Sequence, residues 1–206
     1  MTGWIERPPG WFRKLVKCGE FRIPSADGRK RVYLTFDDGP IPEVTPWVLD
    51  VLDRYGVRAT FFMVGQNVER NPALLDEIRR RGHRIGNHTL HHLQGAKSGT
   101  QAYLNDVEEA GRLVPSDLFR PPHGWLRPGQ ARALSRKYRI IMYDLVTRDY
   151  SKRLTPEDVV MNVRNLTRDG SIIVFHDSLK SWPRLKTALP ESIEWLKREG
   201  YEFELL

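Results

Sequence analysis

The chain has a single cysteine, Cys18, in 206 residues, so no disulfide can form within it. No apolar run approaches the roughly 20 residues that a membrane-spanning helix requires. The N-terminal stretch MTGWIERPPGWFRKLVKCGEF makes no signal peptide, because Glu6, Pro8 and Pro9 interrupt any apolar core. As written, the chain is expected in the cytoplasm, or in the cell envelope if an upstream signal was removed. There is no low-complexity tract, no repeat and no nucleic-acid-binding motif. Thirty-three basic and 26 acidic residues leave a formal charge of +7, but the basic residues scatter over helix faces such as EIRRRGHR. That scatter reads as a solvated surface rather than a nucleic-acid footprint. Histidine is scarce too, with six in all, which makes their positions informative.

What is present is one sizeable domain's worth of alternating strand and helix patterns. Residues 1–30 read as an N-terminal arm with two tryptophans and a proline pair, and 31–206 as the domain proper. RVYLTF is an apolar, β-branched run and reads as a strand. NPALLDEIRRRG reads as a helix, with Asn71 at its N-cap and Pro72 in its first turn. RIIMYDLV reads as one strand, GSIIVFHD as another and YEFELL as the last. About seven strands in β-α alternation predict a parallel sheet with helices outside. Periodicity alone does not separate a barrel from an open sheet. The polar clusters DDG, NHTLHH, RPPHG, TRDY and HD all fall at C-terminal ends of strands, and chemistry gathered from many strand ends favours an α/β barrel.

Five of the six histidines lie in those clusters. His88 and His92 are four apart, a spacing that on a helical turn presents two imidazoles to one metal ion; His91 would then point elsewhere, to a supporting or surface position. Asp37 and Asp38 would face opposite sides of a regular strand, so both serve one site only if the strand breaks at Gly39-Pro40. A carboxylate beside two imidazoles leaves an open position for water, and a second carboxylate can take that water's proton. His176 ends a strand that is apolar on both faces, where a lone histidine is usually a satisfied core residue; opposite a metal site it becomes a general acid. Arg120 is either a surface residue or the partner that keeps an aspartate ionised. Pro121 and Pro122 stiffen the loop that carries the His123 N–H, a potential oxyanion donor.

In this order, TFDDG, HTLHH, RPPHG, DLVTRDY and IIVFHD, the chain resembles the polysaccharide deacetylase family, the NodB-homology or carbohydrate esterase family 4 domain, over roughly residues 30–204. The resemblance implies a distorted (β/α)7 barrel in a single domain. It implies a metal-dependent hydrolase that removes acetyl groups from N- or O-acetylated carbohydrate such as chitin oligosaccharide, peptidoglycan or xylan. It casts Asp37 as base, Asp38, His88 and His92 as metal ligands, Arg120 as the residue that orients Asp37, the His123 backbone as oxyanion donor and His176 as acid. The expected cofactor is a divalent ion, Zn2+ first, with Co2+ or Ni2+ also suited to such ligands. The partner is an acetylated glycan or a small acetylated substrate, not nucleic acid.

One motif departs from the family pattern. Val146 stands where the family usually has an aspartate that tunes the acid histidine, and Tyr150 where it usually has tryptophan. Val174 stands where leucine is common. Asp149 or Asp144 is therefore expected to pair with His176. The departure leaves a second reading, a catalytically idle carbohydrate-binding relative, and the missing export signal a third, a same-fold amidohydrolase acting on a non-sugar amide.

Overall fold

A computed structural model describes residues 6–206. The first of the arm's tryptophans, Trp4, lies outside them. The organising element is β2 (Arg31–Asp37), buried along nearly its whole length. Its side chains alternate, as a pleated strand requires. Val32, Leu34 and Phe36 enter the main apolar core, whereas Tyr33 belongs to a separate cluster with Phe62, Leu118, Ile141 and Ile172. The second set fills the inside of a curled sheet, and the first meets helices on its outside. The helices bring α2 (Thr45–Tyr55), α7 (Pro156–Leu166) and α8 (Trp182–Arg198) into the main core through residues such as Leu49, Val163 and Leu189. Local signals set their ends: Thr155 and Asp158 form a capping box around Pro156 at the start of α7, and Gly56 closes α2 in the left-handed conformation.

Beside β2 lie β3 (Thr60–Met63), then β4 (Arg84–Asn87), β5 (Leu118–Phe119) and β6 (Arg139–Ile141) on one side, and β8 (Ser171–His176) and β7 (Leu145–Val146) on the other. The short β1 (Gly19–Glu20) extends the sheet beyond β6, and β9 (Glu202–Phe203) pairs with the start of β2. Every ladder is parallel. The parallel, barrel-like α/β architecture expected from the sequence is what is found. The described residues also contain a helix not anticipated from the sequence, α3 (Gly65–Arg70), and no helix long and apolar enough to cross a membrane.

The distortion of the barrel has a specific location. RIIMYDLV, expected as one strand, is split into β6 and β7. Met142 N–H donates to Glu20 O in the arm (2.8 Å), whereas Asp144 N–H donates to Ile172 O on β8 (3.1 Å). The two halves thus join opposite edges of the sheet, and among the described residues no ladder connects them. The arm occupies the split. Val146 N–H donates to Glu6 O (2.9 Å), and α1 (Gly10–Leu15) follows. Phe12, Val16 and Phe21 pack with Tyr103, Phe119 and Ile140, and β1 then pairs with β6.

Asp144, fully buried in the split, locks the arm in place. It accepts from Arg13 (2.7 Å), Arg168 (2.6 and 2.9 Å) and Ser171 (2.8 Å). Burial alone would raise its carboxyl, but these bonds outweigh burial and hold it down at about 2. Its stabilising contribution is therefore fully present above about pH 4 and is lost as pH falls towards 2. Asp144→Asn is expected to lower unfolding free energy by roughly 3 kcal/mol at pH 7 and to flatten its fall over that acidic window, both read from urea titrations. Unchanged acid dependence would show that the lock carries no stability.

Candidate active site

The register of β2 against β8 sets Asp37 directly beside His176. Both follow the inward-facing positions of their strands, so both emerge at the C-terminal rim. Arg120, just past β5, reaches under them. It is buried, donates to Asp37 Oδ1 (2.6 Å), Thr35 Oγ1 (2.8 Å), Ile141 O (3.3 Å) and Met142 O (3.1 Å), and lies over the Phe62 ring at 4.1 Å. Every one of these bonds holds the guanidinium flat beneath the carboxylate, so Asp37 is oriented.

β2 ends at Asp37 because Asp38 leaves extended geometry, with φ 83°. That turn swings the Asp38 carboxylate to the same side as Asp37. Asn67 holds the Asp38 carbonyl at 2.8 Å. Asp177, absent from the site expected from the sequence, clamps the turn from below: it accepts from Gly39 N–H (3.1 Å) and Thr45 Oγ–H (2.6 Å). Burial, with the Asp38 charge nearby, pushes its carboxyl up to about 8. The fit requires glycine, since a Cβ at position 39 would stand 2.0 Å from an Asp177 oxygen.

His88 and His92 do converge, but not on a helical turn. Residues 88–94 form a loop with positive φ at Thr89 (66°) and His92 (55°). The i, i+4 spacing was a misleading signal here; loop dihedrals bring the rings to 5.2 Å between centroids. Asp106 braces this loop, accepting from Leu90 N–H (2.8 Å), His91 N–H (3.2 Å) and His91 Nδ1 (2.6 Å). His91 is thus turned away from the cluster and supports it.

The donor atoms of Asp38, His88 and His92 lie within 4.8 Å of one another. Asp38 Oδ1 is 3.2 Å from His92 Nε2 and 3.9 Å from His88 Nε2. His88 Nδ1 lies 2.8 Å from Arg120 O, a carbonyl that can only accept, so the proton sits on Nδ1 and the Nε2 lone pair is left for a metal. Burial pushes His88 down to about 4, which keeps it neutral at physiological pH. Burial alone would raise the Asp38 carboxyl, but the hydrogen bond from His92 and the charge of His176 hold it well below the usual range. Two imidazoles beside an ionised carboxylate suit a divalent ion.

Across the cleft, Asp149 receives both the His176 backbone N–H (2.8 Å) and Nδ1 (2.7 Å). Burial would lower this histidine, but the charge and hydrogen bond of Asp149, reinforced by Asp38 and Asp37, raise it to about 9. Of the two aspartates expected to compensate for Val146, Asp149 is the partner and Asp144 is committed to the arm. Tyr150 meets the His176 ring edge-on at 4.9 Å. His123, at φ 60°, stands 4.9 Å from the His92 ring. His176, Tyr150 and His123, with Val146 and Val174, line one cleft of about 480 Å³. His83, outside the rim clusters, is buried away from the cleft and accepts a bond from Ala59 N–H at Nδ1 (3.2 Å).

The polysaccharide deacetylase family model matches residues 25–140. The chain belongs to this family. A Bacillus cereus peptidoglycan-N-acetylglucosamine deacetylase is 34% identical over 199 residues, covering 93% of both chains. A Bradyrhizobium chitooligosaccharide deacetylase is 31% identical, over 87% of this chain and 90% of its own. The crystal structure of the Bc1960 peptidoglycan N-acetylglucosamine deacetylase superposes with a TM-score of 0.83 at 31% identity, over 95% of this chain and 94% of that one. The family and the polysaccharide deacetylase enzyme class read from the sequence are thereby borne out, and Asp38, His88 and His92 form a candidate divalent-metal site. Among residues missed from sequence, Asp177 alone carried a signal, as the second member of the HD doublet; Asp106 sits in an ordinary helical pattern, and Asn67 in the short helix α3 that the sequence did not announce.

Gly39→Ala forces the Asp177 carboxylate aside. Unfolding free energy should fall by about 1–3 kcal/mol, and affinity for a divalent ion, read by titration calorimetry, should fall with it, because Asp38 is the next residue. Retention of both would mean that the Gly39–Asp177 contact does not set the turn.

Proposed function

We propose that the chain is a metal-dependent deacetylase of N-acetylated glycans, the N-acetylglucosamine units of peptidoglycan or chito-oligosaccharide first among them. The observation that carries the reading is the meeting, in one cleft, of an arginine-held carboxylate, an Asp-His-His cluster and an aspartate-held histidine. Residues 31–206 are taken as the catalytic domain, and Zn2+ as the ion held by Asp38, His88 and His92. Such an ion supplies Lewis acidity to the attacking water and the acetyl carbonyl.

The remaining steps fall to side chains. Asp37, oriented by Arg120, removes a proton from the attacking water. The His123 N–H, fixed between Pro121-Pro122 and Gly124, donates to the oxygen on which negative charge develops. His176 enters the reaction protonated and gives its proton to the departing nitrogen as the C–N bond breaks, so that acetate and a free amine leave. Asp149 keeps His176 protonated and turned towards the leaving group, and is a positioning residue. The substrates fit an enzyme working in the cell envelope.

Acetate release from a panel of acetylated glycans and small amides, by metal-reconstituted protein with His88→Ala as control, tests the reading. Asp37→Asn should cut kcat by roughly 10²–10⁴-fold while retaining metal; metal loss in that variant would mean that the roles of Asp37 and Asp38 are exchanged. Turnover restricted to small amides would replace the glycan with another substrate, and metal binding without any turnover would mark an idle relative.

The acid must be protonated, so the rate should fall as pH rises through about 9. Asp149→Asn removes the main force raising His176 and should move that limb to lower pH by roughly 1–3 units. Asp144→Asn should leave the limb in place. A limb that ignores Asp149→Asn would remove His176 from the acid role.

A further inference from the structure

The split between β6 and β7 has a functional side. Because the arm fills it, arm residues Pro8, Pro9, Trp11 and Phe12 line the same cleft as Asp37 and His176. Five large apolar side chains are exposed among the described residues; Trp11 (50%) and Trp125 (45%) are the two that line the cleft. Phe12 links them. Its own ring is buried, with centroids 6.0 Å from Trp11 and 4.7 Å from Trp125, both edge-on. Trp125 follows the 3-10 turn that carries His123, so this aromatic surface begins next to the reacting groups.

The arm is braced at several points. Glu6 pairs with Arg148, the residue before Asp149, and accepts from Val146 N–H (2.9 Å). Arg13 bonds both Asp144 (2.7 Å) and Pro8 O (3.1 Å). Aromatic surface held rigid in advance costs little ordering entropy when a ligand covers it.

We infer that Trp11 and Trp125 form a stacking surface for a pyranose ring of the glycan other than the one losing its acetyl group, making the N-terminal arm a specificity determinant. A pyranose offers a flat face of C–H bonds to an indole, with hydroxyls directed sideways to water. This surface rests on the glycan reading above. It makes affinity depend on chain length, because only an oligomer reaches both the acetyl site and the aromatic wall.

The test measures binding and turnover separately. Binding of N-acetylated chitopentaose and chitobiose is titrated calorimetrically against metal-loaded Asp37→Asn protein, with and without Trp11→Ala or Trp125→Ala. Each alanine should weaken pentamer binding by roughly 5- to 30-fold, the range of a lost aromatic stack, and dimer binding much less. Trp11→Phe should restore most of it. In otherwise unaltered protein the loss should fall on KM for the pentamer rather than on kcat. Equal effects on dimer and pentamer, or none on either, overturn the inference. Should Trp11→Ala lower the melting temperature, Trp125→Ala decides, since Trp125 lies outside the arm and the polar contacts of Glu6 and Arg13 that brace it do not involve this residue. Tryptophan-dependent pentamer binding without acetate release from any glycan would remove the proposed reaction and leave the stacking surface standing. No pentamer binding to the parent protein removes the surface.

Discussion

The Arg120–Asp37 ion pair is the contact around which the site is built. A guanidinium buried inside a barrel is costly unless all its donors find partners. Here they reach Asp37 and Thr35 on β2 and two carbonyls at the end of β6, and the plane rests on Phe62 from β3. The same residue's carbonyl fixes the proton on His88. One side chain and its own backbone thus set the orientation of Asp37, the proposed base, and the tautomer of His88, a proposed metal ligand. The two cannot be moved independently, which ties the geometry of the base to that of the metal cluster.

Much of this was legible from strand periodicity. Parallel β-α alternation brings strand ends to one rim, and the polar clusters at the ends of RVYLTF and GSIIVF put Asp37 and His176 there. Motif order then assembled most of the site. What stayed hidden depends on dihedrals and long-range partners. The His88–His92 spacing mimics a helix, yet a loop with two positive-φ residues does the work. Asp144 and Asp149 are equally plausible partners for His176 from pattern alone. The choice is made by Arg13 and Arg168, one of them about 130 positions away in the chain and neither near the histidine.

The split strand shows a related limit. RIIMYDLV is uniformly apolar enough to read as one strand, and nothing local breaks it. It breaks because each half finds hydrogen-bond partners on a different edge, Glu20 for one and Ile172 for the other. An N-terminal arm whose composition suggested an appendage supplies the filling of that gap and a wall of the cleft.

Among the described residues, the non-glycine positions with positive φ are Asp38, Thr89, His92, His123 and Arg148. Asp38, His92 and His123 line the cleft, Thr89 follows a residue that does, and Arg148 lies between the cleft-lining Val146 and Tyr150. Each left-handed residue costs about 1–2 kcal/mol relative to a relaxed backbone. The chain therefore concentrates its conformational strain in one place, while the helices and strands around it are regular. Evolutionary or designed changes that relax these residues would make the fold more robust and the cleft less defined, so durability and chemistry pull the same five positions in opposite directions.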